Sequence, residues 1–278
     1  MKIGVIGSGV MGKSISSYLS LFECVDAIQW VGSSHQKTLS EMDSLRKVAR
    51  RISRKIVPSR PDFINKINPI NHINELCDID ILIEAATENI DIKKDIFTKL
   101  SQVISEKTII ATNTSSVSIT GLASVVKNPE RVLGLHFFNP IEFMDLVEVV
   151  RGYHTSDETI NAVKNLVDKI EKKAVYINET PGFVVNRMLI PMINEAITLL
   201  AEGAATREDI DDAMKYGANH PIGPISLADL IGNDIVLSIM NTLFEETNDP
   251  KYRPHSLLKK MVRAGSLGRK TKKGFYKY

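Results

Sequence analysis

Short unbroken apolar runs alternate with stretches of helical period through the first part of the chain, and long helical periods alone fill the last third. Ile3-Gly4-Val5-Ile6 has the length of a buried strand, and residues 13–22 carry Ile15, Leu19 and Leu21 near helical spacing. Residues 27–31 predict a second strand, and 79–86 and 108–112 predict further strands, with a helix over 95–104. Their nearly continuous apolarity suits a parallel sheet covered on both faces. From about 180 the strand pattern stops. A turn at 180–187 leads into a helix through Ile190, Ile193, Ala196, Ile197 and Leu200 to Gly203, and further helices are expected over 207–216 and 225–246. His220-Pro221-Ile222-Gly223-Pro224 is a rigid break between them. The pattern predicts an α/β domain over residues 1–180 and an all-α domain over 181–278, the latter suited to substrate binding and to dimerisation through an apolar surface.

Between the first strand and first helix stands Gly7-Ser8-Gly9-Val10-Met11-Gly12, a G-x-G-x-x-G turn. Glycines there let the chain turn sharply, bring amides against a pyrophosphate and pack the helix close to the sheet, with the helix N-terminus favouring negative charge. The strand-turn-helix setting makes this a Rossmann-type dinucleotide site rather than a merely structural turn, with Gly7, Gly9, Val10, Met11 and Gly12 as its cofactor-binding residues. An NAD-selective fold usually ends its second strand in Asp or Glu, to bind the ribose 2′-hydroxyl. Here that position reads Val31-Gly32-Ser33-Ser34-His35-Gln36-Lys37. Gly32 leaves room for a 2′-phosphate, Ser33 and Ser34 offer donors and Lys37 a charge, so NADP is expected ahead of NAD; the alternative is an ordinary polar loop with NAD bound without a ribose clamp.

A length of 278 residues fits two domains, since single cores stop growing at roughly 250 to 300 residues. Hydrophobic residues at 43% and charged residues at 24% are ordinary for a globular protein, and a net charge of +2 gives no reason to expect nucleic acid. Cys24 and Cys77 lack metal-ligand spacing, the first residues run straight into a strand, and no apolar run is long enough to cross a bilayer. A cytoplasmic protein without metal or membrane is expected. One segment departs from neutrality: residues 44–56 read as a helix with Leu45, Val48, Ala49, Ile52 and Ile56 on one face and cations on the other. Such a face is either simply solvated or a site for phosphates on a bulky carrier.

The candidate chemistry lies in two neighbouring runs, Leu135-His136-Phe137-Phe138-Asn139-Pro140 and Asp145-Leu146-Val147-Glu148-Val149-Val150. A hairpin of these runs brings an imidazole and a carboxylate together, either as a buried histidine with a satisfying acid or as a general acid/base dyad. Thr112-Asn113-Thr114-Ser115-Ser116 stands at the C-terminal end of a strand, where ligands of α/β sheets bind. Ser115 suits a hydrogen bond to a substrate oxygen, or a helix cap, and lacks the G-x-S-x-G setting of a nucleophile. Asn186, polar within an apolar stretch, is expected to be buried, bonded either to a neighbouring helix or within a site.

Taken together, these motifs with Ile83-Glu84-Ala85-Ala86-Thr87-Glu88-Asn89, Pro181-Gly182-Phe183-Val184-Val185-Asn186-Arg187, Asn219-His220-Pro221-Ile222-Gly223-Pro224 and Gly268-Arg269-Lys270-Thr271 resemble the short-chain 3-hydroxyacyl-CoA dehydrogenase family, its bacterial 3-hydroxybutyryl-CoA branch in particular, over essentially the whole length. The resemblance implies reversible hydride transfer between NAD(P) and C3 of a short-chain acyl-CoA, of the 3-hydroxybutyryl-CoA or acetoacetyl-CoA type. It assigns His136 as general base, Glu148 as its orienting partner, and Ser115 and Asn186 to the substrate oxygen and carbonyl. Glu88, Lys93 and Asn139 would line the nicotinamide ribose site, Lys270 would reach the cofactor, and Ser44 and Arg51 would contact the CoA nucleotide end. An acyl carrier protein thioester as substrate, or a structural member of the fold without turnover, are the other readings.

Overall fold

The computed structural model describes residues 1–32, 35–56 and 63–278, and it divides into two compact units, Met1–Glu179 and Thr180–Tyr278. In the first unit β1 (Lys2–Ile6), α1 (Val10–Leu19), β2 (Ala27–Val31), α2 (His35–Ile56), β3 (Ile67–Pro69), β4 (Ile81–Glu84), α3 (Ile90–Val103), β5 (Ile109–Thr112), α4 (Ile119–Ala123) and β6 (Val132–Phe137) follow in order. After them come β7 (Leu146–Arg151), α5 (Asp157–Lys169) and β8 (Lys173–Asn178). One eight-stranded sheet runs β3-β2-β1-β4-β5-β6-β7-β8, parallel throughout except where β6 meets β7. The order 3-2-1-4-5-6 puts a topological switch point between β1 and β4, and ligands of such sheets bind at the carboxyl ends of the strands beside it.

Burial follows the expected pattern in the centre. Strands β4, β5 and β6 are buried at every residue, and Ile81, Ile83, Ala111, Leu133 and Leu135 join Ile15, Leu19, Leu45 and Ile52 in one apolar cluster. Removing a single such isoleucine or leucine from a packed core costs about 2–5 kcal/mol. Two strands escape the sequence pattern for opposite reasons. β3 has three residues, and β8 is an edge strand whose side chains are exposed or half-buried throughout, so neither has a buried apolar run to read. The helix expected at 13–22 starts earlier, because the second half of the glycine turn is already its first turn. The basic helix is likewise longer, His35–Ile56, with Leu45, Ala49 and Ile52 fully buried and Arg46, Lys47, Arg50, Arg51, Arg54 and Lys55 exposed.

The second unit holds α6 (Val185–Ala201), α7 (Arg207–Asp212), α8 (Pro224–Ile231), α9 (Asn233–Thr247) and α10 (Ser256–Arg263) around Ile193, Ile197, Ile225, Val236, Met240, Leu243 and Leu258. The single helix expected over 225–246 is two helices bent by 97°. Gly232 supplies the break: its φ of +107° lies outside the helical range, in a region that L side chains rarely adopt. The corner is filled from the C-terminal tail, where buried Asp229 accepts hydrogen bonds from the side chain of Asn233 and from the backbone amides of Phe275 and Tyr276. Among the described residues no single helix is long and apolar enough to cross a membrane.

Candidate active site

The glycine turn has the shape of an anion cradle. Gly7 has φ +126°, and a β-carbon there would meet the carbonyl oxygen of Ala85 at 2.4 Å. A β-carbon on Gly12 would meet the carbonyl oxygen of Gly7 at 2.0 Å, so both glycines are required by close approach of backbone to backbone. Gly9 differs: it precedes α1, and a β-carbon there would enter open space. The first amides of α1 therefore face room for a diphosphate, with Val10 exposed and Met11 half-buried beside them. These residues fit a dinucleotide. Trp30, fully buried on β2, donates its indole N–H to the Gly7 carbonyl at 2.9 Å and so ties the turn to the sheet.

At the end of β2, Gly32 packs against two hydroxyl side chains. A β-carbon on Gly32 would lie close to the hydroxyls of Thr38 at 3.0 Å and Ser8 at 3.1 Å, and Thr38 accepts the Gly32 amide at 2.8 Å. Gly32 is thus closely packed against these two side chains. Ser33, Ser34 and the side chain of Lys37 lie outside the described residues.

Antiparallel pairing of β6 with β7 sets His136 directly opposite Glu148. The Nδ1 of His136 is 2.8 Å from Glu148 Oε2, and the two side chains are 9% and 1% exposed. A carboxylate accepts and does not donate, so the ring proton belongs on Nδ1 and the lone pair on Nε2. The Phe138 ring packs on the imidazole at a centroid distance of 4.4 Å. The strand is anchored from its neighbour, where the Asn113 side-chain oxygen takes the Phe137 amide at 2.8 Å. A buried imidazole held in one tautomer by a buried acid is equipped to exchange a proton through its other nitrogen.

Ser115 lies on the loop that follows β5, half-buried. That loop is gathered on one oxygen of Glu88, whose Oε1 accepts from Thr114 Oγ1 at 2.5 Å, from the amides of Ser115 and Ser116 at 2.8 and 3.0 Å, and from their hydroxyls at 3.2 and 3.1 Å. Burial works to raise the Glu88 carboxyl, but the Lys93 charge and these donors outweigh it and hold the group below the usual carboxylate range. Lys93 itself is buried, bonded to both oxygens of Glu84 at 2.8 and 2.9 Å and 3.5 Å from Glu88 Oε2. Asn139 is exposed, just before a cis peptide bond to Pro140.

Both residues expected at a CoA site have protein partners. Ser44 accepts Lys13 Nζ at 2.9 Å, and the Arg51 guanidinium forms an ion pair with buried Glu142 at 2.8 Å. In the second unit, Lys270 pairs with Asp234 at 2.6 Å. Asn186 corrects its expectation: it is half-buried on the first turn of α6, and among the described residues its amide makes no side-chain hydrogen bond. Sequence reading missed Glu84, Trp30 and Glu142. Glu84 alone had a usable signal, a carboxylate closing an otherwise apolar central strand.

The chain was compared with known proteins. Residues 2–180 match the model of the 3-hydroxyacyl-CoA dehydrogenase NAD binding domain, and residues 182–278 match that of the 3-hydroxyacyl-CoA dehydrogenase C-terminal domain. A 3-hydroxybutyryl-CoA dehydrogenase of Clostridioides difficile is 48% identical, over 100% of this chain and 99% of the relative. The human mitochondrial hydroxyacyl-coenzyme A dehydrogenase is 36% identical, over 99% of this chain and 90% of its own. Among solved structures, the (S)-3-hydroxybutyryl-CoA dehydrogenase of Ralstonia eutropha is 42% identical with a TM-score of 0.92, covering 100% of this chain and 98% of that one. With the two domain models together matching residues 2–180 and 182–278 and a full-length relative 48% identical, the chain belongs to the 3-hydroxyacyl-CoA dehydrogenase family.

Proposed function

We propose that the protein is an oxidoreductase that interconverts short-chain 3-hydroxyacyl-CoA and 3-oxoacyl-CoA thioesters, of the 3-hydroxybutyryl-CoA and acetoacetyl-CoA type, with NAD(P) as hydride carrier. The observation that carries this reading is the buried His136 to Glu148 pair at 2.8 Å, with His136 on β6, two places beyond the switch-point strand β4. When bound, the nicotinamide accepts or supplies the hydride at substrate C3. His136 Nε2 takes the proton of the 3-hydroxyl in oxidation and returns it to the 3-oxo oxygen in reduction. Glu148 fixes the tautomer and offsets the positive charge that the ring gains. Ser115 orients the substrate 3-oxygen, and Asn186 is assigned to the thioester carbonyl.

For the cofactor, Gly7, Gly9, Val10, Met11 and Gly12 hold the diphosphate, Glu88 and Asn139 line the ribose with Lys93 behind Glu88, and Lys270 is a further contact. NADP is preferred over NAD, an inference supported by the lack of any Asp or Glu from Gly32 to Thr38. Exposed Lys47, Arg50 and Arg54, with Ser44 and Arg51, receive the CoA phosphates; among the described residues none of those three cations has an ion pair. A homodimer through the second unit is supported by its exposed apolar side chains, Met188 and Leu230 among them. A cytoplasmic location is supported by two unpaired cysteines, one exposed.

The test is acetoacetyl-CoA reduction followed with NADPH and NADH side by side, and with the same acyl group on an acyl carrier protein. The reading expects turnover of the CoA thioester with higher kcat/KM for NADPH. A clear preference for NADH would overturn only the cofactor assignment. Turnover confined to the carrier-protein thioester would overturn the CoA assignment, and no turnover of either thioester would overturn the reading itself.

A further inference from the structure

All four residues of β4, Ile81-Leu82-Ile83-Glu84, are buried, so the strand ends by carrying a carboxylate into the interior. Its counter-charge is Lys93 of α3, with side chains 0% and 1% exposed. A pair so fully desolvated gains little net stability, since apolar residues of like volume serve about as well. What distinguishes this pair is its connections. Glu84 also accepts the Ala86 amide at 2.6 Å and the Thr112 hydroxyl at 2.6 Å, from the end of the neighbouring strand. Lys93 faces Glu88 Oε2 from the other side, and Glu88 Oε1 gathers Thr114, Ser115 and Ser116.

We propose that Glu84 and Lys93 are positioning residues that fix the Glu88 carboxylate and, through it, the rotamer of the Ser115 hydroxyl that meets the substrate. The proposal rests on the reading of Ser115 as a substrate contact. Five donors share one Glu88 oxygen, more than its lone pairs hold well, so the longest bond, 3.2 Å from Ser115 Oγ, is the one that yields to a substrate oxygen. The 2.8 Å bond from the Ser115 amide keeps the loop in place while it does so. Without the Glu84 charge, Lys93 is left with Glu88 as its carboxylate partner among the described residues, and moving toward it draws Glu88 away from the loop.

The test is Glu84→Gln, alone and combined with Ser115→Ala, in the full-length enzyme with acetoacetyl-CoA and reduced cofactor. Glu84→Gln is expected to lower kcat about tenfold, a loss of positioning, with less than about a twofold change in acyl-CoA KM. In the Ser115→Ala background the same change should cost less than about twofold, because its effect passes through that hydroxyl. An equal loss in both backgrounds overturns the proposal in favour of a general structural role. A raised NAD(P)H dissociation constant with full loss in both backgrounds overturns it in favour of a cofactor role. Near-normal turnover of Ser115→Ala alone overturns the reading of Ser115, and the proposal with it. Thr112→Val, which removes one hydroxyl from Glu84 and spares the charge pair, is measured beside it. It should cost about threefold in kcat and nothing in the Ser115→Ala background, and equal costs there overturn the proposal even if Glu84→Gln does not fold.

Discussion

The guanidinium Nε of Arg51, on the basic helix α2, lies 2.8 Å from the carboxylate of Glu142, on the loop that joins the two strands carrying His136 and Glu148. The pair is lopsided: Arg51 is 57% exposed and Glu142 only 2%, and the second Glu142 oxygen is buried without a hydrogen bond among the described residues. The same loop is also held by Lys172, whose ammonium donates to the carbonyls of Ile141 and Met144 at 2.7 and 2.8 Å. Arg51 thus links the proposed CoA-binding helix to the hairpin while more than half of its side chain stays exposed.

Removing Arg51 strands a buried carboxylate, which costs more than the loss of an exposed ion pair. Arg51→Ala should lower stability by about 1–2 kcal/mol, after discount for the exposure of the arginine, or a Tm fall of about 2–8 °C. Adding Glu142→Gln should restore most of that loss, since a neutral amide tolerates the site better. Thermal melts of the two single variants and the double variant check this. A double variant less stable than Arg51→Ala would mean that Glu142 has other support.

The proton-exchanging nitrogen proposed for His136 depends on what Glu148 presents to the other one. His136→Gln should reduce kcat by at least about a hundredfold with cofactor affinity little changed, as for the loss of a general base. Glu148→Gln should cost nearly as much, because its amide can donate to Nδ1 and hold the imidazole in the wrong tautomer. Glu148→Ala should cost less in kcat and more in Tm, since it frees the tautomer and opens a cavity. Steady-state rates and melts of the three variants decide it. The tautomer argument is lost if Gln and Ala are equally slow.

Why this dyad was legible in the sequence, and its support was not, follows from the physics of each. The hairpin announces itself through alternation: Leu135, Phe137, Val147 and Val149 form one apolar set, and a polar residue on the intervening face of each strand must meet across the ladder. The glycine turn is equally plain, because Gly7 and Gly12 answer steric demands that no other residue meets. Glu84 and Lys93 are nine positions apart on a strand and a helix, and their pairing appears only when α3 packs back on the sheet. Arg51 and Glu142 are more distant still. The break at Gly232 was hidden because Ile225, Ala228, Val236 and Ile239 are buried on both sides of it, and apolar period alone does not tell one helix from two.

Acid should weaken the hold of Glu88 on its loop. Its folded value lies below the ordinary 4.5, since Lys93 and the loop donors outweigh the opposing effect of burial. The unfolded chain therefore takes up the proton first as pH falls. The stability Glu88 contributes is complete above the unfolded value of about 4.3 and is lost as pH descends through the lower folded value. Wild type should exceed Glu88→Gln in Tm at about pH 6, and the difference should shrink by about pH 3. A constant difference across that range would show that the carboxylate charge is not what holds the loop.

The link from Trp30 to Gly7 makes a prediction for cofactor binding at a distance from the cofactor itself. The indole N–H is the side-chain donor to a carbonyl that also sits 2.0 Å from where a Gly12 β-carbon would be, so the turn is pinned from the sheet side and crowded from the helix side. Trp30→Phe keeps most of the buried volume but leaves that carbonyl short of a partner, at a cost of about 1–2 kcal/mol. Part of the cost falls on the cradle, so the NAD(P)H dissociation constant should rise about threefold to tenfold, which corresponds to about 0.7–1.4 kcal/mol. Gly12→Ala cannot be absorbed in the same way, because the added carbon meets backbone and not a flexible side chain, and saturable binding should vanish. Trp30 is the chain's single tryptophan, so titration calorimetry is the measurement that serves all three proteins alike. Unchanged NAD(P)H affinity in Trp30→Phe, with the expected loss of Tm, would mean that the indole supports the sheet without shaping the turn.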